Sequence, residues 1–190
     1  MTKVALYFGS FNPVHIGHLS IANYVWQNED VDEVWMVISP QNPFKDKEGL
    51  WDENVRLKLL ETALSGHPKV RACTIEFDLP KPSYTYYTLK ELRARHPDIE
   101  FSMIIGLDIA NQIVNWKKGD ALIKENRFFV YPRLTEEHVE LDLPKCKLIN
   151  APRLDISSTY IRNSLKEGKD VRYLVGKEVA ELISKLKPFK

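Results

Sequence analysis

The sequence has few cysteines, little excess charge and no long hydrophobic run. Its two cysteines, Cys73 and Cys146, lie far apart, which argues against a disulfide framework and gives no metal-ligand spacing. No apolar run approaches the roughly 18 residues that a membrane-spanning helix needs. The formal net charge is only +1, whereas general nucleic-acid and membrane binders usually carry a basic excess. We therefore expect neither nucleic acid nor a membrane as partner, although a small anionic substrate needs only a few local cations.

Two common phosphate-binding motifs are also missing. A P-loop requires Gly-x-x-x-x-Gly-Lys-Ser/Thr, but Gly176-Lys177 is followed by Glu178 and has no glycine at the required upstream position. No Gly-x-Gly-x-x-Gly occurs either. Both a P-loop kinase and a classical dinucleotide-binding dehydrogenase are therefore disfavoured.

The overall composition is that of a globular protein. The 190 residues are 44% hydrophobic and 28% charged, which suits one domain with a substantial core. We predict a single domain over residues 1–190, in which residues 151–190 form a small helical C-terminal part. No signal peptide precedes the first apolar segment, so we expect a cytoplasmic protein.

Short apolar segments alternate with helical periodicity over the first two-thirds of the chain. This alternation is typical of βαβ units, whose parallel strands are covered by helices on both faces. We therefore predict an α/β fold with a Rossmann-like, doubly wound, mainly parallel sheet. The predicted strands are Val4–Phe8, Val31–Ser39, Lys69–Phe77, Glu100–Gly106, Arg127–Arg133 and Lys145–Pro152.

The segment "YFGSFNPVHIGHL" follows the first strand and carries two histidines. In parallel α/β sheets, ligands bind at the carboxyl ends of strands. Gly9 would allow a ligand close to the backbone, and Ser10 offers a hydroxyl. His15 and His18 are three residues apart on the first helical turn, so they share one face. Because free amides and the helix dipole favour anions there, we predict a phosphate site rather than two histidines that only cap a helix.

A second candidate anion site lies in "ISSTYIR" near the C-terminus. Ser157, Ser158 and Thr159 cluster at a predicted helix start, and Arg162 lies on the same face. A guanidinium group suits a phosphate. Taken alone, this segment would be an ordinary serine cap beside a surface arginine.

Together the two segments resemble a known family. "GSFNPVHIGHL" is similar to the (T/H)xGH signature of the nucleotidyltransferase superfamily, and "ISSTYIR" is similar to its ISSTxxR signature. The segments "PSYTYYTL", "IIGLDIANQIVNW" and "VRYLVGKEVAELI" resemble bacterial nicotinate-nucleotide adenylyltransferases in particular. The resemblance covers nearly the whole chain.

The resemblance implies that ATP and nicotinate mononucleotide give nicotinate adenine dinucleotide and pyrophosphate. It implies Mg²⁺ on the ATP phosphates, with no metal ligand from protein side chains. His15, His18, Lys45 and Arg162 are the implied catalytic residues. The implied ATP contacts are Gly9, Ser10, Phe11, His15, His18, Gly106, Asp108, Ser157, Ser158, Thr159 and Arg162, and the implied nicotinate mononucleotide contacts are Tyr84, Thr85, Trp116 and Arg133.

The chain departs from the family pattern at a few positions. Phe8 replaces a common glycine, and Asn12 replaces a common aspartate. In the loop "PQNPFK", Phe44 stands where the family has histidine, while Lys45 is retained. Arg133 is offset from the family's Arg-Pro-Gly.

Several alternatives stay open from the sequence. The acceptor could be nicotinamide mononucleotide or another phosphorylated compound such as phosphopantetheine, or the chain could be a non-catalytic nucleotide sensor. The sequence also does not distinguish a monomer from a homo-oligomer.

Overall fold

A computed structural model describes residues 1–41, 49–132 and 143–188. Six strands form one parallel sheet in the order β3-β2-β1-β4-β5-β6. Their bounds are Thr2–Gly9 (β1), Glu33–Ile38 (β2), Val70–Cys73 (β3), Ile99–Gly106 (β4), Arg127–Tyr131 (β5) and Cys146–Leu148 (β6). The predicted fold class is therefore confirmed.

Helices connect and cover the strands. In the described ranges they are Ile16–Asn28 (α1), Glu53–Ala63 (α2), Thr85–Arg95 (α3), Leu107–Ala110 (α4), Gly119–Glu125 (α5), Ser158–Lys166 (α6), Arg172–Val175 (α7) and Lys177–Leu186 (α8). No α-helix within these ranges has the length and apolar character needed to cross a bilayer.

The alternation of side chains along β1 shows why both faces of the sheet are covered. Ala5 and Tyr7 belong to a core layer with α1, α2, α6, α7 and α8. Val4 and Leu6 point to the opposite layer, which includes residues of α3, α4 and α5. Because successive strand residues face opposite sides, a continuous apolar strand requires helices on both.

Several predicted strands are shorter in the structure, among them Val31–Ser39, which is paired only over Glu33–Ile38. The predicted strand Lys69–Phe77 ends at Cys73, because Ile75–Asp78 forms a 3-10 helix that turns the Glu76 side chain into the interior. The last predicted strand, Lys145–Pro152, is paired only over Cys146–Leu148. After β4 the chain forms the short helix α4 and then a 3-10 turn, Ile113–Asn115.

The sheet order creates one switch point. From β1 the chain continues outward through β2 and β3, whereas β4 returns to the other side of β1. The carboxyl ends of β1 and β4, at Gly9 and Gly106, therefore face a crevice between diverging connections, the usual ligand position in such sheets.

Candidate active site

The crevice at the switch point is a cavity of about 570 Å³. Thirteen of the predicted site residues line it: Gly9, Ser10, Phe11, His15, His18, Tyr84, Thr85, Gly106, Trp116, Ser157, Ser158, Thr159 and Arg162. A volume of this size suits a nucleotide-sized ligand. Residues from both ends of the sequence therefore share one site.

The turn after β1 is shaped by Phe11. Its backbone φ is 45°, in the left-handed region that non-glycine residues rarely adopt. Its ring lies against Gly9, where an added Cβ would be only 2.8 Å from the ring carbons. Glycine at position 9 therefore leaves room for the Phe11 ring as well as for a ligand that contacts the backbone.

His15 and His18 stack at the N-terminus of α1. Their ring centroids are 3.7 Å apart and their planes differ by 28°. The His15 backbone N–H donates to His18 Nδ1 at 3.3 Å, so a neutral His18 carries its proton on Nε2. Gly17 permits this arrangement, because a Cβ there would lie 3.0 Å from His15 Nδ1.

Helix α6 is joined to the turn after β1 by two hydrogen bonds. The Ser158 hydroxyl donates to the Pro13 carbonyl at 2.9 Å, and Arg162 Nη1 donates to the Asn12 carbonyl at 2.9 Å. The Ser157 hydroxyl caps the helix by accepting from the Tyr160 N–H at 3.1 Å. These contacts place the start of α6 beside the start of α1, although the two segments are about 150 residues apart in sequence.

Asn12, which replaces a common aspartate, holds the chain at residues 49–51. Its side-chain amide donates to the Gly49 carbonyl at 2.8 Å, and its oxygen accepts from the Trp51 N–H at 3.2 Å. An aspartate carboxylate could accept from Trp51 but could not donate to Gly49. The asparagine therefore fits this loop better than the acid.

The end of β4 places Gly106 in the cavity wall and Asp108 next to it. An added Cβ at Gly106 would overlap Asp108 Oδ1 and contact the Tyr131 ring. Asp108 lies in the first turn of α4 but is not among the residues that line the cavity. The Tyr7 and Tyr131 hydroxyls are 3.3 Å apart beside this position.

Aromatic residues and a lysine come from α3 and the segment after α4. Tyr84 is the N-cap of α3, and Trp116 follows the 3-10 turn Ile113–Asn115. The Lys117 ammonium lies 6.0 Å from the centroid of the Tyr84 ring. This part of the cavity combines a cation, backbone amides and ring faces, which suits a flat anionic group.

Two predicted site residues, Lys45 and Arg133, lie outside the described residues. The same holds for Phe44 in the loop "PQNPFK".

Comparisons with known proteins show the family of this chain. A family profile described as cytidylyltransferase-like matches residues 6–164. A probable nicotinate-nucleotide adenylyltransferase of Cytophaga hutchinsonii is 47% identical over 182 residues, with 95% of each chain covered. The corresponding protein of Bacteroides thetaiotaomicron is 44% identical, with 95% of this chain and 90% of the relative covered. The chain belongs to the nicotinate-nucleotide adenylyltransferase family.

Two solved structures have the same fold as this chain. The structure of Plasmodium falciparum nicotinic acid mononucleotide adenylyltransferase complexed with NaAD has a TM-score of 0.84 at 22% identity, covering 100% of this chain and 98% of that one. A putative nicotinate-nucleotide adenylyltransferase from Vibrio parahaemolyticus has a TM-score of 0.75 at 23% identity, covering 97% and 99%.

Several residues around the site were not predicted from the sequence. Tyr7, Tyr131, Glu76 and Lys117 line the cavity, and the buried Arg56 supports it from behind. Of these, only Glu76 carried a usable signal, as an isolated carboxylate between apolar residues in a predicted strand. The others depend on the sheet order, which brings the ends of β1, β4 and β5 together.

Burial lowers the pKa of the His15 imidazole from 6.5 to about 4. Only 5% of the residue is exposed. In the unfolded chain the His15 imidazole takes up a proton near pH 6.5, whereas in the folded chain it does so only near pH 4. The free energy of unfolding therefore decreases as the pH falls between these values. We expect the unfolding free energy to fall by about 2–3 kcal/mol more in the wild type than in His15→Asn between pH 7.5 and 4.5.

Urea unfolding at the two pH values measures this difference for both proteins. Equal losses in the wild type and in His15→Asn would contradict the assignment of a buried neutral imidazole.

Proposed function

We propose that this protein transfers the adenylyl group of ATP to nicotinate mononucleotide, giving nicotinate adenine dinucleotide and pyrophosphate. The observation that carries the proposal is the convergence of the His15–His18 pair and the start of α6 on one cavity at the switch point of the sheet. The names of the two relatives described above support the same reaction.

The triphosphate is assigned to the facing starts of α1 and α6. The first amides of each helix have no partner within the helix and attract anions. Arg162 adds a positive charge, since a guanidinium stays protonated in proteins, although burial lowers its pKa. Ser157 and Ser158 act mainly by holding this arrangement, because their hydroxyls cap α6 and bind the Pro13 carbonyl. Gly9, Ser10, Phe11 and Thr159 complete the proposed ATP contacts.

The adenosine and acceptor parts are assigned to the remaining walls. Gly106 lets the adenosine approach the backbone, and Asp108, which lies beside Gly106 but outside the cavity lining, is assigned to the ribose hydroxyls. Tyr84 and Thr85 present backbone amides to the pyridine carboxylate, and Trp116 stacks on the ring. Arg133 is assigned to the mononucleotide phosphate, and Lys45 to the triphosphate.

The reaction needs no protein nucleophile. An oxygen of the mononucleotide phosphate forms a bond to the α-phosphorus of ATP, and the bond from that phosphorus to the bridging oxygen breaks as pyrophosphate leaves. A phosphate is already anionic at neutral pH, so the protein contributes position and charge stabilisation. His18 donates to the oxygen on which charge develops, and Arg162 stabilises the departing pyrophosphate.

Magnesium is proposed to enter with ATP. Within the described ranges, no group of three or more His, Cys, Asp or Glu side chains is arranged to hold a metal ion. The phosphate end of the cavity offers imidazoles, amides and a guanidinium, which suit phosphate oxygens rather than a hard cation. Substrate oxygens and water would therefore hold the ion, which neutralises part of the triphosphate charge.

Purified protein with ATP, Mg²⁺ and one acceptor at a time tests the proposal by pyrophosphate release. We expect the highest kcat/KM with nicotinate mononucleotide. A higher value with nicotinamide mononucleotide or phosphopantetheine would reassign the acceptor. ATP binding without turnover on any acceptor would contradict the proposal and favour a nucleotide sensor.

A further inference from the structure

One buried carboxyl group in the cavity wall has no role in the phosphate chemistry proposed above. Glu76 lies in the 3-10 helix Ile75–Asp78 after β3, and only 1% of it is exposed. Burial raises the pKa of its carboxyl, and the nearby hydroxyls of Thr88, Ser39 and Ser83 oppose this shift only in part. A buried acid without a cation is costly when ionised, so the surrounding hydrogen bonds indicate its protonation state.

Hydrogen-bond counting favours the protonated acid. The Thr88 hydroxyl oxygen lies 2.8 Å from Glu76 Oε1 and 3.3 Å from the Tyr84 carbonyl oxygen. A hydroxyl has one proton and donates once. If Glu76 were ionised, one of these two contacts would join two acceptors. If Glu76 is protonated, it donates to Thr88, and Thr88 donates to Tyr84.

The chain of hydrogen bonds ends at the first turn of α3. Tyr84 is the N-cap, and its carbonyl also accepts from the backbone N–H groups of Tyr87 at 2.9 Å and Thr88 at 3.2 Å. The hydroxyls of Ser39 and the preceding Ser83 lie near the Glu76 carboxyl, but neither the Ser83 hydroxyl nor Glu76 Oε2 makes a hydrogen bond of good geometry within the described residues. Few side-chain hydrogen bonds therefore hold this turn, which makes the Thr88 contact important for its position.

We propose that Glu76 is a positioning residue for the acceptor: as a protonated acid it donates to Thr88, which holds the Tyr84 carbonyl and thereby the first turn of α3. This inference rests on the proposed function, which assigns the acceptor to Tyr84 and Thr85. Glu76 does not touch the acceptor itself, because its side chain is covered. Within the described residues, the proposed ATP contacts come from other parts of the fold, namely the ends of β1 and β4, the turn after β1, and helices α1, α4 and α6. Loss of Glu76 should therefore weaken binding of the acceptor and leave that of ATP unchanged.

Paired substitutions at Thr88 and Glu76 test this role. Thr88→Val and Glu76→Met remove the hydrogen bonds, whereas Thr88→Ser and Glu76→Gln keep a donor at each position. We expect the first pair to raise the KM for nicotinate mononucleotide about ten-fold, with kcat and the KM for ATP within about two-fold of the wild type. The second pair should stay within about two-fold in all three constants.

A control variant separates positioning from general destabilisation. Asn126 is also a buried polar residue, bonded to the Leu122 carbonyl and to Arg93 outside the cavity. Asn126→Ala should leave both KM values unchanged. An equal rise in both KM values for Thr88→Val, or a Glu76→Gln variant as impaired as Glu76→Met, would overturn the inference.

Infrared spectroscopy gives a readout that does not depend on turnover. We expect a C=O stretching band of a protonated carboxylic acid in the wild type at neutral pH and its loss in Glu76→Gln. Identical spectra would overturn the inference. A wild type that shows this band but no turnover would instead contradict the proposed function, so the two failures are distinguishable.

Discussion

His18→Ala is expected to lower kcat by about 10²–10³-fold, the range found when one donor to a developing negative charge is removed. The KM for nicotinate mononucleotide should change by less than about two-fold, because the proposed interaction strengthens only in the transition state. The geometry supports Nε2 as the donor, since Nδ1 accepts from the His15 N–H. Pyrophosphate release at saturating ATP and acceptor measures the effect.

His67→Gln is the matched control for the loss of a histidine. His67 lies outside the cavity, where its Nδ1 accepts from the backbone N–H groups of Lys69 and Val70. Its turnover should equal that of the wild type. A His18→Ala protein that is folded by circular dichroism and turns over at the wild-type rate would show that the ring has no catalytic role.

The fold class was predictable because local patterns and the sheet agree. The apolar run in β1 indicated a strand that is buried on both faces, as observed. The predicted strand Lys69–Phe77 was too long, because β-branched and aromatic residues after Cys73 favour a strand only where a partner strand continues. Here the pairing with β2 ends at Cys73, and this tertiary limit is invisible in the local sequence.

The two signature segments were predictable from the sequence, but the contacts between them were not. Ser158 and Arg162 are recognisable as an anion-binding pattern, yet their bonds to the carbonyls of Pro13 and Asn12 depend on where α6 meets the sheet. Backbone carbonyls carry no residue identity, so no sequence pattern marks them as partners. The role of Arg56 was not predictable for the same reason, because all of its described hydrogen-bond partners are backbone carbonyls.

Arg56 is a fully buried cation beneath the candidate site. It lies in α2 with 0% exposure. Its guanidinium donates to the carbonyls of four residues: Ser10 at 2.6 Å, Trp51 and Ser39 at 2.9 Å, and Pro40 at 3.2 Å. Burial lowers its pKa, and the nearby carboxylates of Glu53 and Asp52 oppose this shift. The side chain therefore joins the ends of β1 and β2 to the chain entering α2.

Arg56→Met is expected to reduce the unfolding free energy by about 3–5 kcal/mol, because it leaves several buried carbonyls without a donor at about 1–3 kcal/mol each, partly offset by no longer burying a charge. Arg56→Lys should lie between this variant and the wild type, since an ammonium keeps the charge but reaches fewer carbonyls. The surface variant Arg172→Met, which loses only an exposed pair with Asp170, should change stability by less than about 0.5 kcal/mol. Urea midpoints at unchanged m-value compare the three variants, and an Arg56→Met protein as stable as Arg172→Met would contradict the prediction.

Since the Ser10 and Ser39 carbonyls lie at the strand ends that border the cavity, we also expect Arg56→Met to lose turnover under conditions where it is still folded.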